Sequence, residues 1–333
     1  MSPRLLVAVV FLALLGLTVV RAPEAQLVGG LGPQALQARV EALRKSVPPE
    51  EPGSFPDEWI HGADCVGDPL IQVHEYSENV YILRQSKCET FEAPFMYMIF
   101  GDNAVLLFDT GANPNTPVQP IVQAVIENWL AARSQADINL IVAHTHGHFD
   151  HVQADAQFQN APYVREVVGL SIPAVLNFWQ MPNYPEAVTT VDLGGRKIDV
   201  LGTPGHYPGS ISVYDRKTQI LFTGDIVYPG HLFIFSPLEW PEFQASMQRL
   251  VTFAVENPVK WVVGCHIEMG DTPGSPYQYT TLVQPDEHTL EFEPSILVDI
   301  LQAAQRQGAT PACTIYDEFV IHPVYLCGIG WNG

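Results

Sequence analysis

From residue 70 onward the apolar residues come in short blocks separated by turn-formers. Residues 70–73, 80–83, 96–100 and 104–108 are four or five residues long, which is strand length and too short for a helix. Gly101-Asp102-Asn103 between the last two blocks supplies a turn and predicts a hairpin. The period then changes. Over 116–134, Val118, Ile121, Val122, Val125, Ile126, Trp129 and Leu130 recur at helical spacing, so a helix is expected to pack on the sheet. Residues 138–143, β-branched at Ile138, Ile141 and Val142, read as a buried strand. Residues 152–187 hold a further helix candidate and then an insertion with Pro173, Pro182 and Pro185. Its Phe178, Trp179, Met181 and Tyr184 suit either core packing or a substrate-facing lid. Short apolar blocks at 198–201, 220–222 and 261–263 are strands, 295–307 is helical in period, and 314–325 is β-like. No internal repeat interrupts this alternation, which is the pattern of layered α/β architecture. Upstream, 33–46 carries Leu36, Val40 and Leu43 at helical spacing and is ended by Pro48-Pro49. This helix either caps the main domain or mediates dimerisation.

Candidate chemistry collects where the strands stop. Directly after the 138–143 strand comes His144-Thr145-His146-Gly147-His148-Phe149-Asp150-His151. Imidazoles and a carboxylate are the ligands of borderline divalent cations such as Zn²⁺. The pattern H-x-H-x-D-H lets His146 and His148 meet on one ion while Asp150 and His151 serve a second. A solvated His-rich tract is the plain alternative, but a buried strand leading into the loop argues for a fixed site. Three later strand ends deliver the same residue types: Gly205-His206 on a Gly/Pro loop, Gly224-Asp225, and Cys265-His266. Each is weak alone; after H-x-H-x-D-H they form a joint signal.

This set resembles the metallo-β-lactamase-fold hydrolase superfamily, over roughly residues 70–270. The resemblance implies an αββα sandwich of two mixed β-sheets flanked by helices. It also implies two Zn(II) per chain, with Fe or Mn as substitutes. One metal falls to His146, His148 and His206, the other to Asp150, His151 and His266, and Asp225 bridges them. Such a pair lowers the pKa of a shared water toward ~7 for attack on an ester, lactone or thioester carbonyl. Asp225 sets the chain beside glyoxalase II and the lactonases, since true β-lactamases lack that bridging carboxylate. Asp109, in Asp109-Thr110-Gly111, is expected to support the metal loop or simply to form a turn. Asp150 and Tyr228 are the catalytic candidates, Tyr228 because lactone hydrolases of the superfamily place a carbonyl-donating tyrosine three residues after the bridging Asp. Packing is the other reading of Tyr228, and Tyr207 is a weaker donor candidate. Arg306 is the only Lys or Arg after His266, which disfavours an anionic glutathione thioester. A β-lactamase, a mononuclear-iron oxygenase and a non-catalytic secreted metal scaffold are the competing readings.

Composition sets the outer bounds. At 333 residues, 47% hydrophobic and 10% aromatic, the chain is globular. A net charge of −20 excludes nucleic acid, whose phosphates need Lys and Arg, and leaves a small-molecule substrate. Arg4 precedes sixteen uncharged residues, 5–20, the pattern of a signal-peptide core. Cleavage after Ala22 or Ala25 is expected, with an N-terminal anchor as the alternative. The expected organisation is therefore 1–25 signal, 26–55 helix and Pro-rich linker, and 56–333 hydrolase domain, in a secreted or periplasmic protein without stable membrane association once the signal is removed. In an oxidising compartment Cys65 with Cys88 and Cys313 with Cys327 are suspected disulfides, though four cysteines allow three pairings. Cys265 is left over and reads as a small buried residue. Oligomeric state is not legible.

Overall fold

The structure, a computed structural model, describes residues 31–331 together with the strand Thr18–Arg21. Its centre is a six-stranded sheet in sequence order: Ile71–Ser77, Val80–Gln85, Phe95–Phe100, Ala104–Phe108, Asn139–Ala143 and Val164–Val167. The first four strands run antiparallel and the last two join parallel. The side-chain period of two explains why the inner strands Phe95–Phe100 and Ala104–Phe108 are apolar throughout, each face meeting its own core. Phe95, Tyr97 and Ile99 point to one core, while Met96, Met98 and Phe100 point to another. The first core is shared with a seven-stranded sheet, to which Ile198, Val200, Val213, Phe222 and Val263 contribute. The second core is closed by the helix Val118–Arg133 through Val118, Val122, Ile126 and Trp129.

The seven-stranded sheet runs Thr18–Arg21, Thr189–Asp192, Lys197–Gly202, Ile211–Asp215, Ile220–Gly224, Trp261–Gly264, Glu291–Phe292. Its outer face is covered by the helices Glu239–Glu256, Ser295–Gln307 and Pro33–Ser46. Trp240, Phe243, Met247, Leu250 and Ala254 form one stripe of the first, as a 3.6-residue period requires. The layers are therefore helix, sheet, sheet, helices. Pro33–Ser46 caps this outer layer: Leu36 and Val40 join its core, and Gln37 Nε2 donates to Asp299 at 2.7 Å. Burying those two side chains stabilises the arrangement by roughly 1.5–3 kcal/mol each. A third, small sheet of His231–Ile234, Val320–Pro323 and Thr314–Ile315 carries the C-terminal segment.

One sequence expectation changes, and one pair of alternatives is decided. The stretch after the histidine loop is more fragmented than a helix, with Phe149–Val152 and Asp155–Phe158 as single turns before the strand Val164–Val167. The aromatic insertion is core: Phe178, Trp179 and Met181 are buried between the sheets. Cys65 lies against Cys88 and Cys313 against Cys327 at bonding separation, and Cys265 is free and buried. Apart from Thr18–Arg21, which pairs with Thr189–Asp192, the expected signal segment lies outside the described residues. Among the described residues no helix is long and apolar enough to cross a membrane.

Candidate metal centre

Five strands of the two sheets end at the same rim of the sandwich, and each is followed by a residue of the cluster. Asp109 follows Ala104–Phe108, the H-x-H-x-D-H loop follows Asn139–Ala143, and His206 lies beyond Lys197–Gly202. Asp225 and His266 follow the parallel pair Ile220–Gly224 and Trp261–Gly264. Glycine is required at two of these turns. Gly224 has φ +58°, and a Cβ there would lie 2.8 Å from Thr145 Cβ; Gly205 has φ +134°, and a Cβ would lie 2.4 Å from the Phe243 backbone. Asp109 itself sits at φ 67°, an uncommon conformation for a non-glycine residue that the surrounding bonds must hold.

The seven expected residues are brought together. His146 Nε2 lies 3.0 Å from His148 Nδ1, which lies 2.9 Å from His206 Nε2. Beside this trio stand Asp150, His151, Asp225 and His266. Asp225 Oδ2 is 3.3 Å from His151 Nε2, 3.4 Å from His266 Nε2, 3.6 Å from His206 Nε2 and 3.8 Å from His146 Nε2. Asp150 Oδ2 is 3.3 Å from both His151 and His266. Asp225 is thus the one carboxylate shared by both groups.

The outward ring nitrogens decide where the protons are. His151 Nδ1 donates to Asp109 Oδ2 at 2.9 Å, His206 Nδ1 to the Phe233 carbonyl at 3.0 Å, and His266 Nδ1 to the Glu92 carbonyl at 3.0 Å. His146 Nδ1 donates to Thr145 Oγ1 at 3.2 Å, and that hydroxyl donates onward to Asp109. In the neutral imidazoles, the inward nitrogens then carry lone pairs. Lone pairs facing one another at about 3 Å repel unless a cation lies between them, and Asp225 Oδ1 is buried with no hydrogen-bond partner. Borderline nitrogen donors, hard carboxylates and an orphaned oxygen on the shared carboxylate fit divalent cations.

Electrostatics agree. Burial and the neighbouring imidazoles hold His146 well below its ordinary range, push His148 down to about 4 and lower His206. Burial opposes charge on His151 and His266 too, but the Asp225 and Asp150 carboxylates overcome it and push both well up. Burial likewise opposes ionisation of Asp225 and Asp150, and those same two imidazoles hold both carboxyls well down.

Asp109 is a structural hub. Fully buried, it also accepts from Thr145 N at 2.9 Å and from the Cys265 thiol at 3.4 Å. Cys265 is therefore a support for Asp109, and its thiol is pushed well up by burial. His144 is held by Asp155: its Nε2 lies 2.9 Å from that carboxylate, which also accepts from Thr110. For Tyr228 the structure favours the packing reading. Its hydroxyl is fully buried, donates to the His231 carbonyl and lies 3.1 Å from Glu268. Its single proton is engaged there, in keeping with the packing reading, and its ring lies 5.6 Å from that of His266. Tyr184, from the insertion, donates to the Pro208 and Ser210 carbonyls at 2.9 Å and so fastens the loop bearing His206.

Sequence reasoning missed Thr145, Glu92 and Phe233. The last two act through backbone carbonyls, which carry no side-chain signal. Glu92 also brings a buried carboxyl, pushed up to about 7 by burial, with the Tyr279 hydroxyl donating to it at 3.1 Å.

Comparison with known proteins points the same way. The model of the metallo-beta-lactamase superfamily matches residues 90–266. Acyl-coenzyme A thioesterase MBLAC2 of Bos taurus is 24% identical over 218 residues, 57% of this chain and 78% of the relative. The Gallus gallus protein of that name aligns at 36% identity over 80 residues, so this chain spans only 29% of its length. A hydroxyacylglutathione hydrolase of Chelativorans sp. is 29% identical over 192 residues, 55% of this chain and 67% of the relative. Among solved structures, a metallo-beta-lactamase from Pontibacter korlensis is 20% identical with a TM-score of 0.47, covering 71% of this chain and all of that one.

Proposed function

The chain belongs to the metallo-β-lactamase superfamily, and on that premise we propose that it is a dinuclear metal-dependent hydrolase of an ester, lactone or thioester carbonyl. The observation that carries this reading is Asp225, whose Oδ2 lies 3.3–3.8 Å from imidazoles of both groups. Relatives named as thioesterases and hydroxyacylglutathione hydrolases support the bond type. His146, His148 and His206 would hold one cation, Asp150, His151 and His266 would hold the other, and Asp225 would be shared between them. Bound Zn²⁺ at such a pair supplies a water nucleophile at neutral pH and polarises the scissile carbonyl.

The chain's own residues do the rest. Asp109 fixes the tautomer and tilt of His151 and, through Thr145, of His146. The Phe233 and Glu92 carbonyls do the same for His206 and His266. Such partners hold ligand rings in place and raise their basicity. Asp150, held ionised by His151 and His266, would give the second cation a carboxylate ligand of its own. The two disulfides support an oxidising compartment, and with the sequence 5–20 they support export. The test is turnover of a lactone, an aryl ester, a thioester and a β-lactam by zinc-loaded protein and by Asp225→Ala. The reading expects one carbonyl class to be hydrolysed and lost in the variant. Equal turnover by both proteins overturns it.

A further inference from the structure

The rim around the cluster is apolar and wet. Phe149, between His148 and Asp150, is 55% exposed, and Phe235 is 37% exposed. The Phe235 ring lies 5.3 Å from His148 and 5.4 Å from His206. Leu238, three residues on, is 80% exposed. Tyr207 closes another side, its half-buried ring 5.0 Å from His148 and 5.7 Å from His146. Ile172 continues the surface: a Cβ at Gly209 would lie 3.1 Å from Ile172 and 3.8 Å from the Tyr207 ring. Single exposed apolar residues are ordinary, but a contiguous set opening onto a reaction centre marks a binding surface.

We propose that this collar is the subsite for an apolar acyl chain, so that the substrate is an acyl compound whose chain lies on Phe149, Tyr207 and Phe235. This rests on the hydrolase reading above and names its substrate class. The occupant follows from continuity: two of the collar's rings, Tyr207 and Phe235, pack on His146, His148 and His206 themselves, and Phe149 is the exposed neighbour of His148 in the chain, so a chain lying there brings its carbonyl to the cluster. Charge is consistent with this choice. Arg306 is the only Lys or Arg after His266, and the buried Lys87 is turned to the Phe91 carbonyl at 3.0 Å. The recognition available at this rim is hydrophobic.

The test has two arms. In the first, zinc-loaded protein is given neutral N-acetylcysteamine thioesters with two- to ten-carbon acyl chains. kcat/KM is expected to rise by roughly two- to fourfold per methylene until the collar is covered. Phe149→Ser/Phe235→Ser should flatten that slope, whereas Leu282→Ser, at an exposed leucine of the loop beyond His266, should not. In the second, N-octylacetamide, which has no labile bond, is titrated calorimetrically into metal-free protein. It should bind the wild type and bind the double variant at least tenfold more weakly. Amide binding with no turnover of a thioester, aryl ester or lactone keeps the collar and overturns the hydrolase reading. A flat chain-length profile, or amide binding equal in both proteins, overturns the collar.

Discussion

The seven-stranded sheet carries a buried charged cluster at each of its two rims, and they are built on opposite principles. Asp215 pairs with Ile220, the first residue of the strand whose last, Gly224, precedes Asp225, so the two clusters lie a strand length apart. At the Asp215 rim, Arg196 is buried with every nitrogen used. Nε and Nη2 donate to the two Asp215 oxygens at 2.9 and 2.6 Å, and Nη1 donates to Glu51 at 2.8 Å. Asp215 also accepts from Thr218 N at 3.0 Å. At the Asp225 rim, acceptor faces acceptor and a carboxylate oxygen is left over. A satisfied buried network holds the fold; an unsatisfied one beside it is tolerable only if something else completes it. The difference separates structural polarity from functional polarity without reference to any relative.

Breaking either rim should therefore fail differently. Asp225→Ala should cost about 10³-fold or more in kcat/KM, roughly 4 kcal/mol of transition-state stabilisation, measured on the preferred substrate. Arg196→Met should instead destabilise by about 3–4 kcal/mol, because Asp215 and Glu51 are left buried without their cation. Urea unfolding checks this, with kcat of the folded fraction expected to stay near wild type. Asp109→Asn lies between the two: the His151 ring loses its carboxylate partner, and zinc affinity should fall about 10–100-fold by competition with a chelator.

Much of this was legible in the chain. Each cluster residue sits immediately beyond an apolar block, and a strand end is the place where a sequence both stops being buried and stays rigid. The candidate residues could be named from that, while their division between two cations came from the resemblance. The edges blurred where period gave no signal: Val164–Val167 is half-exposed and hides behind two single-turn helices. Tyr228 kept two readings for a different reason. Offset from Asp225 locates a side chain along the chain but says nothing of where its hydroxyl is spent, here on His231 and Glu268. Cys265 looked inert because its partner, Asp109, is 156 residues away in sequence.

Two smaller effects sharpen the contrast. Burial resists charge on Glu51, but Arg196 and the donors Ser77 and Asn79 outweigh it and hold its carboxyl below the ordinary range. A carboxyl with a lowered folded pKa stabilises above its unfolded pKa, and that contribution is lost as pH falls through the folded one. Glu51→Gln should thus melt below wild type at neutral pH, with the gap closing in acid; a gap independent of pH would remove the ionised pair from the account. Tyr228→Phe should change kcat/KM by less than about threefold, since no transition-state donor is removed. A loss of about 10²-fold would restore the substrate role.

The most direct test is zinc titration of metal-free protein, with bound metal counted by mass spectrometry and thermal stability followed on the same samples. Ligands that bind only the folded state raise Tm by mass action. Two zinc per chain with a rising Tm, reduced in Asp225→Ala, is the result expected of a centre bridged by that carboxylate. Less than one zinc per chain and an unmoved Tm would contradict it.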